Sequence, residues 1–348
     1  MSKPTSIYYT RCPVPTASGI AFQGRMFENT FEGSNYEVRN IVELGPDNQN
    51  VHYTHTIDAF FREGGAAPPI WARANGIDSV VLGMTFIDEL LGIYVRIDDD
   101  ADTIAGLAGR RIALPVWPKL VFNFWKVVSL YAWHCALDGY GLSDRDVHYV
   151  DVVEDWDPSE RRNVALDAPQ RAARCEYRNQ LKALEAGEVD AVFAKGPEAA
   201  LLERESQGRV RLLADLRDCA SSINYPRASI PRLLTTSRQF LQDHGDAVVD
   251  YIGTLIRAGH WADAHWGQAV GMIERECGLE AGQMDGYVGP QFTGKFQPRF
   301  EDGMLETLQY YVSFIRARGF SNADFDVEAW TSTAPLKTAL ERQAIPPR

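Results

Sequence analysis

The chain has 348 residues, a net charge of −12 at pH 7, and 45% hydrophobic and 24% charged residues. This length exceeds what one hydrophobic core usually holds, so we expect two lobes, and the composition is that of an ordinary globular protein. The acidic balance argues against nucleic acid and against an anionic membrane surface as partners.

No targeting or membrane segment is predicted. Residues 1–19 lack an apolar run of about 7–15 residues, and no later stretch approaches the roughly 18 apolar residues of a spanning helix. We therefore expect a cytoplasmic protein. The cysteines are scattered without a Cys-x-x-Cys pair, which argues against a disulfide framework and against a zinc site.

The first third of the chain alternates between β-rich runs and helical patterns, which predicts an α/β lobe. Its predicted elements are, in chain order, a strand at 6–10, a helix at 18–31, a strand at 36–44, short helices within 51–76, and strands at 78–86 and 90–98. We expect the last two strands to pair with each other.

A second lobe is predicted after the polar linker within residues 98–116, which suits a crossing between lobes. Its predicted elements are a buried helix at 118–138, a strand at 146–153, a surface segment at 154–180, a helix, strand and helix over 178–203, and a strand at 209–216. The segment 219–237 predicts the return crossing, and helices follow. We assign residues 1–106 and 225–348 to the first lobe and residues 107–224 to the second.

A cysteine at the end of the first predicted strand is the first candidate for chemistry. In two-lobed α/β proteins the ligand lies in the cleft, where strands end and helix N-termini expose N–H groups. Cys12 lies at such a position, beside Arg11 and before a predicted helix, and either neighbour could stabilise a thiolate. The alternative is a small buried hydrophobe, which we expect of the other four cysteines.

Histidine and arginine candidates follow in the same lobe. His52 or His55 could serve as the proton shuttle for a cysteine, or either could be a packed ring. Arg62 precedes a Gly-Gly pair, and its planar fork, together with the N–H groups of Gly64 and Gly65, suits an oxyanion. Grouped with the cysteine, these residues predict a Cys/His/Arg site that acts on an oxyanion.

Sequence motifs for other chemistries are absent. The chain has no nucleophile elbow, no phosphate-binding loop, no dinucleotide fingerprint and no zinc-protease signature. Phosphoryl transfer, dinucleotide redox chemistry and zinc-dependent hydrolysis therefore lack support, and no metal site is predicted.

Three segments together carry a family resemblance. "RCPVPTA", "VHYTH" and "FFREGGAAPP", in this order and with His52 ten residues before Arg62, resemble the hydroxybiphenyl sulfinate desulfinase family of dibenzothiophene desulfurisation. The likeness continues in "YVRIDDDADTIAGLAGRRIAL" and covers most of the chain. It implies an α/β, two-lobed, type II periplasmic-binding-protein-like fold, with mixed sheets flanked by helices, an active site in the interlobe cleft and no cofactor.

The resemblance also implies roles for individual residues. The protein would hydrolyse the C–S bond of an aromatic sulfinate and release sulfite, with Cys12 either attacking the sulfur or protonating the ring carbon. Arg62 and the N–H groups of Gly64 and Gly65 would hold the sulfinate oxygens, and His52 would relay or tune the proton.

Departures from the family pattern concern the substrate. Thr10-Arg11 replaces Ser-Asn, Ile57 replaces a glutamine, and the segment "WPKLVFNFW" differs in length and content. Arg11, His55 and Trp125 are candidate substrate-binding residues, with a core helix face as the alternative for Trp125. The expected partner is a small aromatic sulfinate or a related oxyanion, and the expected state is a monomer.

A cytoplasmic, non-enzymatic binding protein for a sulfonate, a sulfinate or an aromatic acid is the second hypothesis, because most proteins of this fold bind ligands without chemistry. The absence of a predicted signal peptide and the presence of Cys12 argue against it. A pyrimidine or thiamin-precursor enzyme on the same fold has no supporting cysteine or histidine cluster.

Overall fold

The structure, a computed structural model, describes residues 4–10, 14–45, 48, 50–87, 89–155, 177–218, 231–284, 287 and 294–344. The strands in these ranges are β1 (Thr5–Tyr9), β2 (Tyr36–Asn40), β3 (Phe60–Gly65), β4 (Ser79–Thr85), β5 (Leu91–Arg96), β6 (Arg111–Val116), β7 (His148–Val153), β8 (Val192–Lys195), β9 (Val210–Asp215) and β10 (Arg232–Ser237). The α-helices are α1 (Ala17–Gln23), α2 (Met26–Phe31), α3 (Val51–Thr54), α4 (Ala67–Ala74), α5 (Phe124–Gly139), α6 (Arg178–Glu185), α7 (Gly196–Ser206), α8 (Arg238–Asp243), α9 (Gly245–Ala264), α10 (Trp266–Cys277), α11 (Met304–Ala317), α12 (Val327–Trp330) and α13 (Ala334–Ala344). None of the helices described is long and apolar enough to cross a membrane.

The first sheet has the strand order β2-β1-β3-β10-β4. Strands β2, β1 and β3 run parallel, and β10 runs antiparallel between β3 and β4. Almost every residue of β3 and β4 is buried, which explains why β4 has a continuous apolar run instead of an alternating pattern. Both faces of the sheet are therefore covered at these two strands.

The second sheet repeats the order of the first. It consists of β8-β5-β9 and the pair β6-β7, which are joined by a parallel bridge between Ile112 and Ala191. The combined order β7-β6-β8-β5-β9 again has three parallel strands followed by an antiparallel strand, β5, and a last strand, β9. Each sheet thus receives its antiparallel strand next to a crossing between the lobes.

The first crossing between the sheets lies earlier in the chain than predicted. Strand β4 pairs with β10, and β5 pairs with β8 and β9, so the predicted pairing of 78–86 with 90–98 is wrong. The short connection between β4 and β5 changes sheets instead of forming a hairpin. Strand β5 consequently lies in the second sheet, although the boundary predicted after residue 106 assigns it to the first lobe. The polar linker within 98–116 contains a 3-10 helix between β5 and β6.

Two central strands of the first sheet lie in segments where no strand is predicted. Strand β3 occupies part of the stretch 51–76 that predicts short helices, because Gly64 and Gly65 end a strand there instead of breaking a helix. Strand β10 occupies the end of the stretch 219–237, which predicts only a crossing. Both strands have their partners far away in the chain, so local pattern does not report them.

Element limits differ for local reasons. The helix predicted at 18–31 divides into α1 and α2, because Gly24 ends the first and Arg25 adopts a left-handed φ of 56°. The strand predicted at 36–44 ends at Asn40, whose side chain caps a 3-10 helix. Helix α5 begins at Phe124, because Asn123 Oδ1 accepts from Trp117 N–H at 2.8 Å and holds the preceding residues in a loop. Most of the predicted surface segment 154–180 lies outside the described residues.

The C-terminal helices contact both sheets. Thr331 bridges Val81 of β4, and Trp330 Nε1 donates to Ser79 Oγ at 3.1 Å, which attaches this end of the chain to the first sheet. Helix α11 instead packs on α5 beside the second sheet, where the rings of Tyr131 and Tyr311 lie 4.6 Å apart. The segment 225–348 therefore does not contact the first lobe alone.

We predict that Trp330→Phe destabilises the protein by about 1–3 kcal/mol, because it leaves the buried Ser79 hydroxyl without the indole donor. Urea unfolding measures the change. The control Leu340→Ala alters a side chain on α13 that is half exposed and should shift stability by no more than about 0.5 kcal/mol. Equal effects of the two variants would contradict the attachment.

Candidate functional site

The end of β1 lies beside the start of β3, with Tyr9 opposite Phe61. Thr10 N–H donates to Phe61 O at 3.0 Å, immediately before Arg62 in β3. Arg11 and Cys12 follow Thr10 in the chain and lie outside the described residues, so their predicted roles stay predictions. Cys135 lies in α5 and Cys277 is the last residue of α10, while Cys175 and Cys219 also lie outside the described residues.

The structure brings two of the predicted catalytic residues together. Arg62 is only 1% exposed, and its Nε donates to the backbone oxygen of His52 at 3.2 Å. His52 lies in the short helix α3, and its buried ring packs edge-on against Tyr53 with the centroids 5.0 Å apart. Both Arg62 and His52 make further contacts. A guanidinium held this deeply is a strong electrostatic feature, because its charge is shielded from water.

His55 lies close to Arg62, and contacts with other protein groups hold its ring in place. Its Nδ1 lies 3.1 Å from Tyr53 O, its Nε2 lies 3.5 Å from Thr235 Oγ1, and its ring packs edge-on against Phe60. Burial, followed by the charge of Arg62, lowers the pKa of His55 to about 3. His55 is therefore neutral near pH 7 and separates α3 from the sheet. Its predicted role in substrate binding stays a prediction.

The two glycines at the end of β3 have different surroundings. Gly64 lies opposite Leu233 and Gly65 opposite Arg232 in the antiparallel pairing with β10. Ala66 N–H donates to Pro231 O at 3.0 Å, and hydrogen-bonded pairs alternate in such a ladder, so Gly64 N–H faces β10 and Gly65 N–H faces the side of β1. Among the described residues, no atom would lie within 4 Å of a Cβ atom on Gly65, so they leave this face of the sheet uncovered at Gly65.

Glu63, which the sequence analysis missed, occupies the N-terminus of α1. Its carboxylate accepts from Ser18 N–H at 2.7 Å and from Ala17 N–H at 3.4 Å. Burial nevertheless raises the pKa of Glu63 above its ordinary value. The helix N-terminus, expected to stabilise the Cys12 thiolate, is thus already paired with a protein carboxylate. An acidic residue inside a buried strand, directly after Arg62, is the sequence signal that could have indicated this contact.

Aromatic rings from the two lobes meet beside Arg62. Tyr53 of α3 lies 5.7 Å from Phe124 of α5, and Trp71 of α4 stacks on Phe122 at 5.6 Å. Trp125 is buried next to Phe124, with the two ring centroids 5.1 Å apart. Trp125 thus belongs both to the packed face of α5 and to this aromatic wall, and its contact with substrate stays a prediction.

A buried charged network lies on the other side of Gly65. Glu89 accepts from Lys195 Nζ at 2.8 Å and from Arg232 Nη2 at 2.9 Å. Although burial alone would raise it, these two cations hold the pKa of Glu89 below its ordinary value. Glu89 and Arg232 are not predicted from sequence because both fall in or beside connections between the sheets. Lys195 is the last residue of β8, and the next residue, Gly196, donates its N–H to Leu90 O at 2.7 Å.

The groups that converge on the cleft suit an organic oxyanion. Within the part of the chain that the structure describes, no group of three or more His, Cys, Asp or Glu side chains could hold a metal ion. Arg62 and Gly65 N–H offer donors to oxygen atoms, while the aromatic wall of Tyr53, Phe124 and Trp125 suits an aryl group.

Comparison with curated proteins finds one named type of similar sequence. No protein-family model matches the chain. The 2'-hydroxybiphenyl-2-sulfinate desulfinases of Rhodococcus erythropolis and Rhodococcus qingshengii are each 23% identical to it, over 97% of this chain and 94% of theirs. The predicted resemblance to this type of protein is therefore confirmed.

Solved structures give the same result for the fold. A DSZB mutant in complex with biphenyl-2-sulfinic acid superposes with a TM-score of 0.76 at 23% identity, covering 97% of this chain and 99% of that chain. The periplasmic aliphatic sulphonate binding protein SsuA from Escherichia coli gives a TM-score of 0.66 at 18% identity, covering 94% and 97%. The predicted two-lobed, periplasmic-binding-protein-like α/β fold is confirmed.

The buried, neutral state of His55 has a consequence for stability. Its pKa is about 3 in the folded protein and 6.5 in the unfolded chain, so the unfolded chain takes up the proton first as the pH falls below 6.5. Stability is therefore lost on acidification in this window. We predict that the wild type loses about 1.5 kcal/mol more than His55→Asn between pH 6.5 and about pH 5.

Asparagine is the matched substitution, because it tolerates the left-handed φ of 54° at this position and does not titrate. Urea unfolding at the two pH values measures the difference. Identical pH dependence in both proteins would show that His55 is not buried in its neutral form.

Proposed function

We propose that this protein is a desulfinase that hydrolyses the C–S bond of an aromatic sulfinate and releases sulfite without a cofactor. The observation that carries the proposal is the buried guanidinium of Arg62, held against His52 in the strand that ends at Gly65, beside an aromatic wall. The relatives named as sulfinate desulfinases support the same reaction.

The proposed ligand position follows from the surroundings of Arg62 and Gly65. A sulfinate carries one negative charge on two oxygens, which suits one guanidinium donor and one backbone N–H donor from the same strand, β3. The aryl group would lie along Tyr53, Phe124 and Trp125, where it replaces water with ring contacts. This orientation presents the C–S bond to the end of β1.

Cys12 is the proposed reacting group, because it follows Thr10 by two residues and Thr10 is paired next to Arg62. In one route the thiolate attacks the sulfinate sulfur, the C–S bond breaks, and the aryl carbon takes a proton. Water then cleaves the Cys–S–SO2− adduct to give bisulfite and the thiol. In the other route the thiol protonates the ring carbon, and the SO2 that leaves is hydrated to bisulfite.

His52 would handle the proton in both routes. It would supply the proton to the leaving carbon in the first route and return a proton to the Cys12 thiolate in the second. Overall, an aryl sulfinate and water give an arene and bisulfite, so no oxidant or reductant is consumed.

A binding protein for sulfonates or sulfinates is the second candidate function. Its support is the similarity in fold to the sulphonate-binding SsuA. The same Arg62 and Gly65 would hold the oxyanion, without a step at Cys12. Turnover decides between the two functions.

We predict that the wild type releases sulfite from biphenyl-2-sulfinate and that Cys12→Ser reduces the rate by at least about 1,000-fold, because a serine hydroxyl is neither a comparable nucleophile nor a comparable acid at neutral pH. A colorimetric assay measures sulfite. Cys135→Ser, a change at a half-buried thiol on α5, should leave the rate unchanged. Undiminished turnover in Cys12→Ser would refute the mechanism, and binding without turnover by the wild type would favour the receptor.

We predict that Arg62→Lys lowers kcat/KM by about 10- to 100-fold, because an ammonium keeps the charge and loses the planar, two-pronged donor geometry. Steady-state sulfite release measures the change. Arg25→Lys, on an arginine whose side chain is 77% exposed, is the matched control and should retain full activity. If both variants behave like the wild type, Arg62 does not hold the sulfinate.

A further inference from the structure

The charged network of Glu89, Lys195 and Arg232 is a feature that the proposed mechanism does not use. Its three side chains come from three places: the connection between β4 and β5, the end of β8, and the start of β10. Their side chains are 6%, 11% and 2% exposed, so water and salt screen their charges only weakly. An electrostatic effect of this network on a neighbouring ligand would therefore be large.

The network adjoins the proposed ligand position on two sides. Arg232 lies directly opposite Gly65 in a non-hydrogen-bonded pair, in which Cα atoms are about 4.5 Å apart. Lys195 Nζ lies 5.9 Å from the ring centroid of Trp125, on the aromatic wall. Arg232 thus lies beside Gly65, Lys195 lies beside Trp125, and Glu89 is bonded to both cations.

The charges within the network do not balance. Two cations surround one carboxylate, and in the part of the chain described, Arg232 Nη1 and Glu89 Oε2 are buried atoms without a hydrogen-bond partner. Glu63 is a second carboxyl near Arg232, which lowers its pKa, but burial raises that pKa overall and so makes Glu63 a weak counter-charge. Positive charge in a buried place is costly for the free protein, and a bound anion offsets that cost.

We propose that Lys195 and Arg232, oriented by Glu89, determine the preference of the cleft for an anionic ligand. They supply positive potential at the ligand in addition to the direct contact with Arg62. This inference rests on the proposed binding of an oxyanion beside Arg62 and Gly65. It does not depend on whether the bound anion is then cleaved.

An electrostatic role and a purely structural role of the network predict different results for one pair of variants. Lys195→Gln and Glu89→Gln both break the same ion pair, but the first removes a positive charge and the second removes a negative charge. For a charge roughly 8 Å away in an effective dielectric of about 20, Coulomb's law gives a change in anion affinity of roughly 30-fold. Lys195→Gln should therefore weaken anion binding about 30-fold, and Glu89→Gln should strengthen it about 30-fold.

The experiment measures the Kd of biphenyl-2-sulfinate by titration calorimetry, in the Cys12→Ser background so that no ligand is consumed. The neutral methyl sulfone of the same biphenyl is the control ligand, and its affinity should change less than threefold in both variants. Lys195→Arg keeps the charge and should bind the sulfinate like the parent protein. Lys337→Gln, a change at an exposed lysine on α13, should have no effect.

The direction of the two shifts decides the outcome. If both variants weaken sulfinate binding, or if the sulfone and the sulfinate respond alike, the network is only a scaffold and the inference is wrong. Thermal unfolding of each variant separates a loss of folded protein from a loss of affinity, and Lys195→Arg keeps the test valid should Lys195→Gln fold poorly. Opposite shifts without sulfite release by the wild type would support this inference while refuting the desulfinase. A wild type that binds no aryl sulfinate would refute both.

Discussion

The antiparallel pairing of β10 with β3 is the contact on which the arrangement of the cleft depends. Strands β3 and β4 run parallel and do not touch, so β10 is what holds them in one sheet. The same pairing sets Arg232 opposite Gly65 and Thr235 opposite Arg62. A shift of one residue in this register would turn each side chain of β10 to the other face of the sheet. The donors of the site and the charged network therefore share one structural origin.

The carboxylates of Glu63 and Glu89 bind different partners in this part of the molecule. The carboxylate of Glu63 takes the N–H groups at the start of α1, where an anion would otherwise be favoured. The carboxylate of Glu89 takes one donor each from Lys195 and Arg232. Arg62 donates to the backbone oxygen of His52 and makes further contacts as well. The buried positive charges described in this part of the molecule are those of Arg62, Lys195 and Arg232.

The sequence patterns predicted features with a local signal, and they did not predict features that depend on contacts between distant segments. The order of Cys12, His52 and Arg62-Glu63-Gly64-Gly65 sufficed to indicate an oxyanion site, and the structure does bring His52 and Arg62 together. Strand β10 escaped prediction because its partners lie more than 100 residues earlier in the chain and its neighbours look like a linker. Glu89 and Arg232 escaped with it, because a charged residue next to a crossing normally indicates solvent exposure. Whether a charged side chain is buried, and which group it pairs with, depends on the tertiary structure and leaves no periodic pattern in the sequence.

The position of α11 has a mechanical consequence. If the two crossings were the sole connections between the lobes, the lobes could rotate about a hinge axis through them. Before α11, Arg299 bridges Met84 of β4. Helix α11 then packs Tyr311 on Tyr131 of the second lobe, and after it Thr331 bridges Val81 of β4. This C-terminal segment is thus a third connection between the two lobes. We expect ligand exchange to proceed through movement of side chains at the mouth of the cleft, with a small change in the radius of gyration, instead of through wide separation of the lobes.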